Sequence, residues 1–386
     1  MHSHAYPQLR LDVDAVDHNI RVMGEWCRAR DVVLAPHVKT TMSAPIVDRQ
    51  LAAGAVGVTV ATVDQAAVLL GWGHDRILIA NQVVDSEGLA RLRDWLNDKA
   101  DRQIRFFVDS PEGVAAAQRI HGERDRRFEV LLDVGTPGGR TGVRTRADAR
   151  RLAETIARAP GLALVGVAGY EGVAPNTRTE DTLAAVDDHC RRGRDVYTDV
   201  AAYFDTDAPI FSMGGSAFPD RVVEFLPTAS DVPGTVRLLR SGCYVTHDHG
   251  TYARVSPIPG LRPALSVRAV VLSAPEPGVA VVGAGKRDLA YDADLPVLLG
   301  ARCADGTEKS GVAGTVRALY DQHAVLADVT GLAVTDIVEF GLSHPCSVFD
   351  RWPAYYAVDA DGDVSDLWRT DFHRTSITSV SRPVAG

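Results

Sequence analysis

Lys39 is the residue with the most chemistry to offer. It stands in Ala35-Pro36-His37-Val38-Lys39-Thr40, directly after the β-branched run Val32–Pro36. A lysine drawn out of water at the mouth of a strand bundle has a lowered pKa, and its amine can form an imine with an aldehyde. Taken alone, a surface lysine just past a strand end is the better explanation of the position. Two glycine-bearing segments further along offer donors for an anion. In Ser212-Met213-Gly214-Gly215-Ser216 a Gly-Gly turn would let backbone N–H groups approach a phosphate closely, with serine hydroxyls beside them. Such turns are common, so the motif is weak by itself. Arg240-Ser241-Gly242-Cys243-Tyr244 supplies a second group of donors. Asp133-Val134-Gly135 is followed by Arg140-Thr141-Gly142-Val143; Arg140 could reach a ring nitrogen or pair with a nearby carboxylate. Tyr170, in Gly169-Tyr170-Glu171-Gly172, could pack on a flat ring or cap a core.

A metal pair is the other candidate. His344-Pro345-Cys346 follows the strand-like run Ile337–Leu342. On an extended segment, residues two apart point to the same side, so an imidazole and a thiolate could share a cation. Two protein ligands are few for a structural zinc and suit an open catalytic site. The sulfur favours Zn²⁺, with Mn²⁺ or Co²⁺ as options. Without further context the motif is weak, and two buried structural residues are the preferred reading of it. His323 could orient substrate or a ligand water, or be a hydrogen-bonded core histidine. His247 and His249, in His247-Asp248-His249, are also potential ligands and are expected at the pocket rim. His2 and His4 receive no role.

Eight short apolar runs can position these groups: Val32–Pro36, Val56–Val60, Arg76–Ala80, Ile104–Val108, Phe128–Asp133, Leu162–Ala168, Pro209–Met213 and Thr235–Arg240. Helical patterns lie between them, among them Ser86–Asp98, Arg146–Ala159 and Asp181–Tyr203. Strand–helix alternation predicts a parallel sheet, and eight units over this length predict a (β/α)8 TIM barrel over residues 25–262, with its chemistry at the C-terminal strand ends. After residue 262 the long helical patterns stop. Strand-like runs (Ala264–Leu272, Val279–Val282, Thr315–Leu319, Ala324–Val329, Ile337–Phe340) separated by Gly, Pro and Asp predict a second, mainly β C-terminal domain. That domain is expected to comprise residues 1–24 plus 263–386 and to carry the metal site.

The bulk numbers exclude several classes. The 386 residues carry a net charge of −9, which leaves no electrostatic footprint for nucleic acid or an anionic membrane surface. Five widely spaced cysteines suggest neither a disulfide framework nor a CxxC site, which fits a reducing cytoplasm. The opening MHSHAYPQLRLDVDAV has no apolar core, so no signal peptide is expected. No apolar stretch is long enough to span a membrane.

Taken in order along almost the whole chain, these motifs, with Gly283-Ala284-Gly285-Lys286 and Asp321-Gln322-His323, resemble the fold-type III pyridoxal-phosphate enzymes. These have an alanine-racemase-like barrel, and the likeness is to the D-serine dehydratase / D-threonine aldolase branch. The resemblance implies an imine-forming Lys39, a phosphate site of Gly214, Gly215, Ser216 and Tyr244 with His37 and Ser212 close by, Arg140 near the pyridine nitrogen, and Tyr170 at the cofactor face. It implies metal ligation by His344 and Cys346, a homodimer, and a small D-amino acid substrate. The favoured reaction is β-elimination from a D-β-hydroxy amino acid to a 2-oxo acid and ammonia, with Lys39, Tyr170 and His323 as catalytic residues. Retro-aldol cleavage to glycine and an aldehyde is the rival. That branch carries His-x-Asp where this chain has Cys346, and a histidine after the Tyr170 position where this chain has Val173 and Asn176. A racemase would need a second proton donor such as Tyr291 or Tyr320, and would leave the metal pair without a purpose. A non-catalytic cofactor-binding homologue would lack the β domain. D-serine, D-threonine and D-threo-3-hydroxyaspartate are all candidate substrates.

Overall fold

The computed structural model describes residues 5–228 and 230–372; His2 and His4 lie outside them. The N-terminal part runs β1 (Gln8–Asp12), α1 (Val13–Arg28), β2 (Val33–Leu34), α2 (Ala44–Ala52), β3 (Val58–Val60), α3 (Val63–Gly71), β4 (Arg76–Gln82), α4 (Ser86–Asp98), β5 (Gln103–Val108) and α5 (Pro111–Ile120). It continues with β6 (Phe128–Val134), α6 (Arg146–Ala157), β7 (Leu162–Gly169), α7 (Glu180–Asp199), β8 (Ile210–Ser212), α8 (Pro219–Glu224), β9 (Val236–Leu239) and α9 (Thr251–Val255). Most of the strand-to-helix turns end in a short oxygen-bearing residue. Thr62, Asp85, Ser110, Thr145 and Thr179 each accept an N–H of the first helical turn, supplying an acceptor that the helix itself cannot provide.

Strands β2 to β9 form one eight-stranded parallel sheet. It closes where Val56 N–H donates to Leu34 O and Thr59 N–H to Pro36 O, both at 2.9 Å, with His37 bridging Thr59. The expected (β/α)8 barrel is therefore present, its strands within a few residues of the expected runs. The inward side chains Ala35, Leu78, Phe107, Leu131, Ala163, Val165, Ile210 and Leu238 form a small core of their own. A larger core fills the space between strands and helices. This two-sided burial is why the strands read as continuous apolar runs.

The remaining strands are β10 (Leu265–Glu276), β11 (Val279–Val282), β12 (Val297–Arg302), β13 (Ala313–Leu319), β14 (Ala324–Thr330), β15 (Ile337–Gly341), β16 (Ala354–Val358) and β17 (Val364–Arg369). They form a mainly antiparallel sheet that β1 enters, antiparallel to β10 and parallel to β16. Helix α1 then leads from this sheet back to the barrel, where Asn19 donates to Val245 O and Arg262 O. The two layers are also joined by Tyr355 and Ser43 (2.6 Å) and by Asp371 and Trp72 (3.1 Å). Strands β12, β16 and β17 have no counterpart among the expected runs. Much of β12 and β17 is solvent-exposed, and in β17 Ser365 and Asp366 interrupt the apolar signal. No helix among the described residues is long and apolar enough to cross a membrane.

Candidate active site

At the C-terminal ends of the barrel strands lies a cavity of about 500 Å³. Lys39 enters it from the single helical turn that follows β2, Val38–Thr40. Its side chain is open to the cavity, and its amine makes no hydrogen bond or ion pair among the described residues. His37, Arg140, Tyr170, Gly214, Gly215, Ser216, His344 and Cys346 line the same space. The structure thus gathers most of the expected site residues from both layers of the fold.

Electrostatics fix the state of several of them. Burial pushes His37 well below its ordinary pKa, and the charges of Lys39 and Arg240 push it further. The ring is therefore neutral at pH 7, and its buried Nδ1 has no partner. Arg240 is buried beneath the cavity and donates to Gly169 O and to the Ser212 hydroxyl. Burial pulls this guanidinium down from its usual value, while Glu171 and Asp133 hold it up. Burial raises Asp133, against hydrogen bonds from Thr141 (2.8 Å) and Gln82 (2.9 Å). Arg140 stacks 4.7 Å over the Tyr170 ring, a cation–π contact that holds both side chains at one wall.

The glycine turn after β8 differs from its expected use. Gly215 N–H donates to Glu171 Oε1 at 2.6 Å and Gly214 N–H to Oε2 at 3.1 Å. The two amides meant for an anion thus face a carboxylate of the protein itself. Gly214 has φ +106, which favours glycine. Next door, the N–H groups of Gly242 and Cys243 both donate to Ser216 Oγ, at 3.3 and 3.1 Å, which leaves the Ser216 O–H as the donor for an anion. A Cβ on Gly242 would run into the His37 carbonyl, so only glycine lets these chains approach.

Several expected residues lie elsewhere. Ser212 is fully buried, bonded to Leu238 O and Arg240. Tyr244 is buried behind the cavity and accepts from Gln50 at 2.9 Å. His323 is exposed in the turn between β13 and β14 and does not line the cavity of its own chain. Tyr291 and Tyr320 are likewise exposed and outside it. His247 lines a small separate void and His249 packs against Gly341, so neither reaches the cavity.

The His344–Cys346 segment is not extended. His344 is left-handed (φ 58), and Pro345–Ser347 form one helical turn. Both side chains still reach the cavity because other groups hold them. His344 Nδ1 meets Asp292 at 2.5 Å, leaving Nε2 for another partner, and its backbone N–H is held by Asp248. Cys346 Sγ lies 3.1 Å from Thr40 Oγ1 and 3.2 Å from Cys243 Sγ. The hydrogen bond with Cys346 pulls the Cys243 thiol below its usual range, so this pair gives up its first proton more readily than a lone thiol. Among the described residues, no group of three or more His, Cys, Asp or Glu could hold a metal ion.

Glu171, Asp292, Tyr252 and the Cys243 sulfur were not singled out by residue type and spacing. Asp292 lies 52 positions from His344, and no local pattern connects them. Glu171 had one signal: a carboxylate inside a glycine-flanked segment at a barrel strand end.

The sequence model of the alanine racemase N-terminal domain matches residues 11–218, more than half of the chain. The chain belongs to the alanine-racemase-like, fold-type III family. A second model, the putative serine dehydratase domain, matches residues 264–358. A D-threo-3-hydroxyaspartate dehydratase from Delftia sp. (strain HT23) is 30% identical, covering 93% of this chain and 95% of that one. A D-threonine aldolase from Arthrobacter sp. is 26% identical over 94% and 91%. Among solved structures, a D-threonine aldolase from Filomicrobium marinum superposes with a TM-score of 0.80 at 25% identity, covering 95% and 94%. Like these family members, the chain is a pyridoxal-phosphate-dependent lyase.

The cavity fits that cofactor. It offers a free amine on Lys39, an unpartnered buried Nδ1 on His37, and cationic walls at Arg140 and Arg240.

Proposed function

We propose that this chain acts on D-configured β-hydroxy amino acids by β-elimination, releasing a 2-oxo acid and ammonia, with a divalent metal beside the cofactor. The observation that carries the reading is that His344 and Cys346 open into the same cavity as Lys39. Two protein donors with the imidazole steered by a carboxylate fit an open catalytic metal position, which water and substrate complete. Zinc suits the sulfur donor best.

Lys39, Ser216, Arg140 and Tyr170 would hold pyridoxal phosphate, which would supply an electron sink for the substrate Cα–H bond. Lys39 Nζ, open to the cavity, would take the Cα proton from the face it occupies and so select the D configuration. Neutral His37 accepts or donates one hydrogen bond without adding charge. The metal would weaken the bond to the β-hydroxyl by drawing electron density from its oxygen. Asp292 keeps His344 Nε2 available to that metal. The layer carrying His344 and Cys346 closes the cavity over the reacting carbons and limits water.

Retro-aldol cleavage is the second reading, since three relatives are named as aldolases, for D-threonine or 3-hydroxy-D-aspartate. Against it stands the lining of the cavity. His37 and His344 are its only histidines among the described residues, and none comes from the loop after Tyr170. The same proposal includes a homodimer, for which the exposed Tyr291, Leu295, Val297 and Leu299 of the β domain provide apolar surface.

The test is a product assay with D-serine, D-threonine and D-threo-3-hydroxyaspartate, before and after chelation. Ammonia and 2-oxo acid, lost with the metal, are expected. Stoichiometric glycine with an aldehyde would replace elimination by the second reading.

A further inference from the structure

Cys243 and Cys346 come from opposite layers of the fold, 103 positions apart, yet their sulfurs lie 3.2 Å from each other. Neither is in a disulfide. Cys243 follows β9 at the barrel mouth; Cys346 sits in the helical turn after β15. Both sulfurs border the cavity, and Thr40 Oγ1 touches both, at 3.7 and 3.1 Å. A disulfide needs a sulfur separation of about 2.05 Å, so the two sulfurs have only a short approach left to make. Of the other cysteines, Cys27 and Cys190 are buried, and Cys303 lies on the β domain outside the cavity.

We infer that Cys243 and Cys346 are an oxidation site, closed to a disulfide across the active-site cavity by a hydroperoxide small enough to enter it. One thiolate attacks the peroxide oxygen, giving a sulfenic acid and releasing water. The second thiol attacks that sulfur, the S–S bond forms, and a second water leaves. In sum two thiols are oxidised and one hydrogen peroxide is reduced to two waters. The bond ties the mouth of the barrel to the β domain directly beside Thr40 and Lys39. It also withdraws the Cys346 sulfur from the metal pair; that consequence rests on the function proposed above.

The test treats the intact, cofactor-loaded protein with hydrogen peroxide and counts thiols after denaturation. The five thiols fall to three, a non-reducing peptide map joins the Cys243 and Cys346 peptides, and dithiothreitol restores all five. Cys243→Ser and Cys243→Ala give no such link. Persistence of five thiols, a link through Cys303, or conversion of Cys346 to its sulfinic acid with Cys243 still free would overturn the inference. Zinc content of the same samples separates the two readings. Loss of metal together with the link supports both. A link formed with metal fully retained keeps the oxidation site and removes Cys346 from the metal pair.

Discussion

Glu171 offers the sharpest probe of how the site is held. Its carboxylate is completely buried and accepts the N–H groups of Gly214 and Gly215. Burial raises its pKa, and these amides with Arg240 work against that rise. Replacing it with alanine leaves two buried amides without an acceptor, at about 1–3 kcal/mol each. Glutamine keeps one acceptor oxygen and turns an NH₂ towards the other amide, so it forfeits about one of the two. Since whole domains are stable by only about 5–15 kcal/mol, the alanine variant is the heavier loss by far. Hydrogen exchange resolves this locally: the peptide spanning Ser212 to Ser216 should lose protection at both glycine amides in Glu171→Ala. By the same energies, each amide should open roughly 5- to 150-fold more readily. In Glu171→Gln the loss should fall on one amide, and cofactor affinity should drop in the order wild type, Gln, Ala. Unchanged protection in Glu171→Ala would mean that the turn holds itself and that the carboxylate is a bystander.

Other outcomes follow from the same geometry. Lys39→Ala should abolish the visible imine absorbance of the cofactor and its borohydride labelling, while the melting temperature of the cofactor-free protein stays put because the side chain is exposed. Asp292→Ala should weaken metal binding by about 10- to 100-fold through the loss of His344 orientation, measured by competition with a chelating dye. Burial holds His189 down to about 4 from its ordinary 6.5, and neither ring nitrogen has a partner. The unfolded chain therefore binds this proton more readily than the folded one, so the contribution is complete above pH 6.5 and is lost as pH falls towards 4. The loss amounts to about 3 kcal/mol, and His189→Leu should flatten that part of the stability profile in urea titrations at several pH values.

The barrel was legible because its strands are buried on both faces and its helices begin at Thr, Ser and Asp caps. Periodicity and capping are local, and local signals survive in a sequence. The edge strand β17 was not legible, because Ser365 and Asp366 stand where the pattern needs apolar residues; the apolar run of β12, Val-Leu-Leu-Gly-Ala, was present but not singled out. Within the site, Lys39, Arg140, Tyr170 and Ser216 were legible from their place at strand ends. Tyr244 and Ser212 sit beside cavity-lining residues in sequence yet point into the packing behind it. Spacing locates a backbone segment; which way each side chain turns is decided by what packs against it.

His344 and Cys346, the proposed metal pair, make the same point from the other direction. An extended His-x-Cys segment would have aimed both side chains one way by strand geometry alone. The chain instead turns sharply at His344, with φ 58, and reaches the cavity by borrowed constraints. Asp248 fixes the His344 backbone, Asp292 fixes its ring, and Thr40 and Cys243 meet the Cys346 sulfur. Three of these four come from the barrel or the segment that leaves it. The donors carried by the β domain are thus aimed largely by the other layer. Loosening the seam, for instance at the Tyr355–Ser43 bond, should therefore disturb the pair's alignment before it disturbs either layer's own fold.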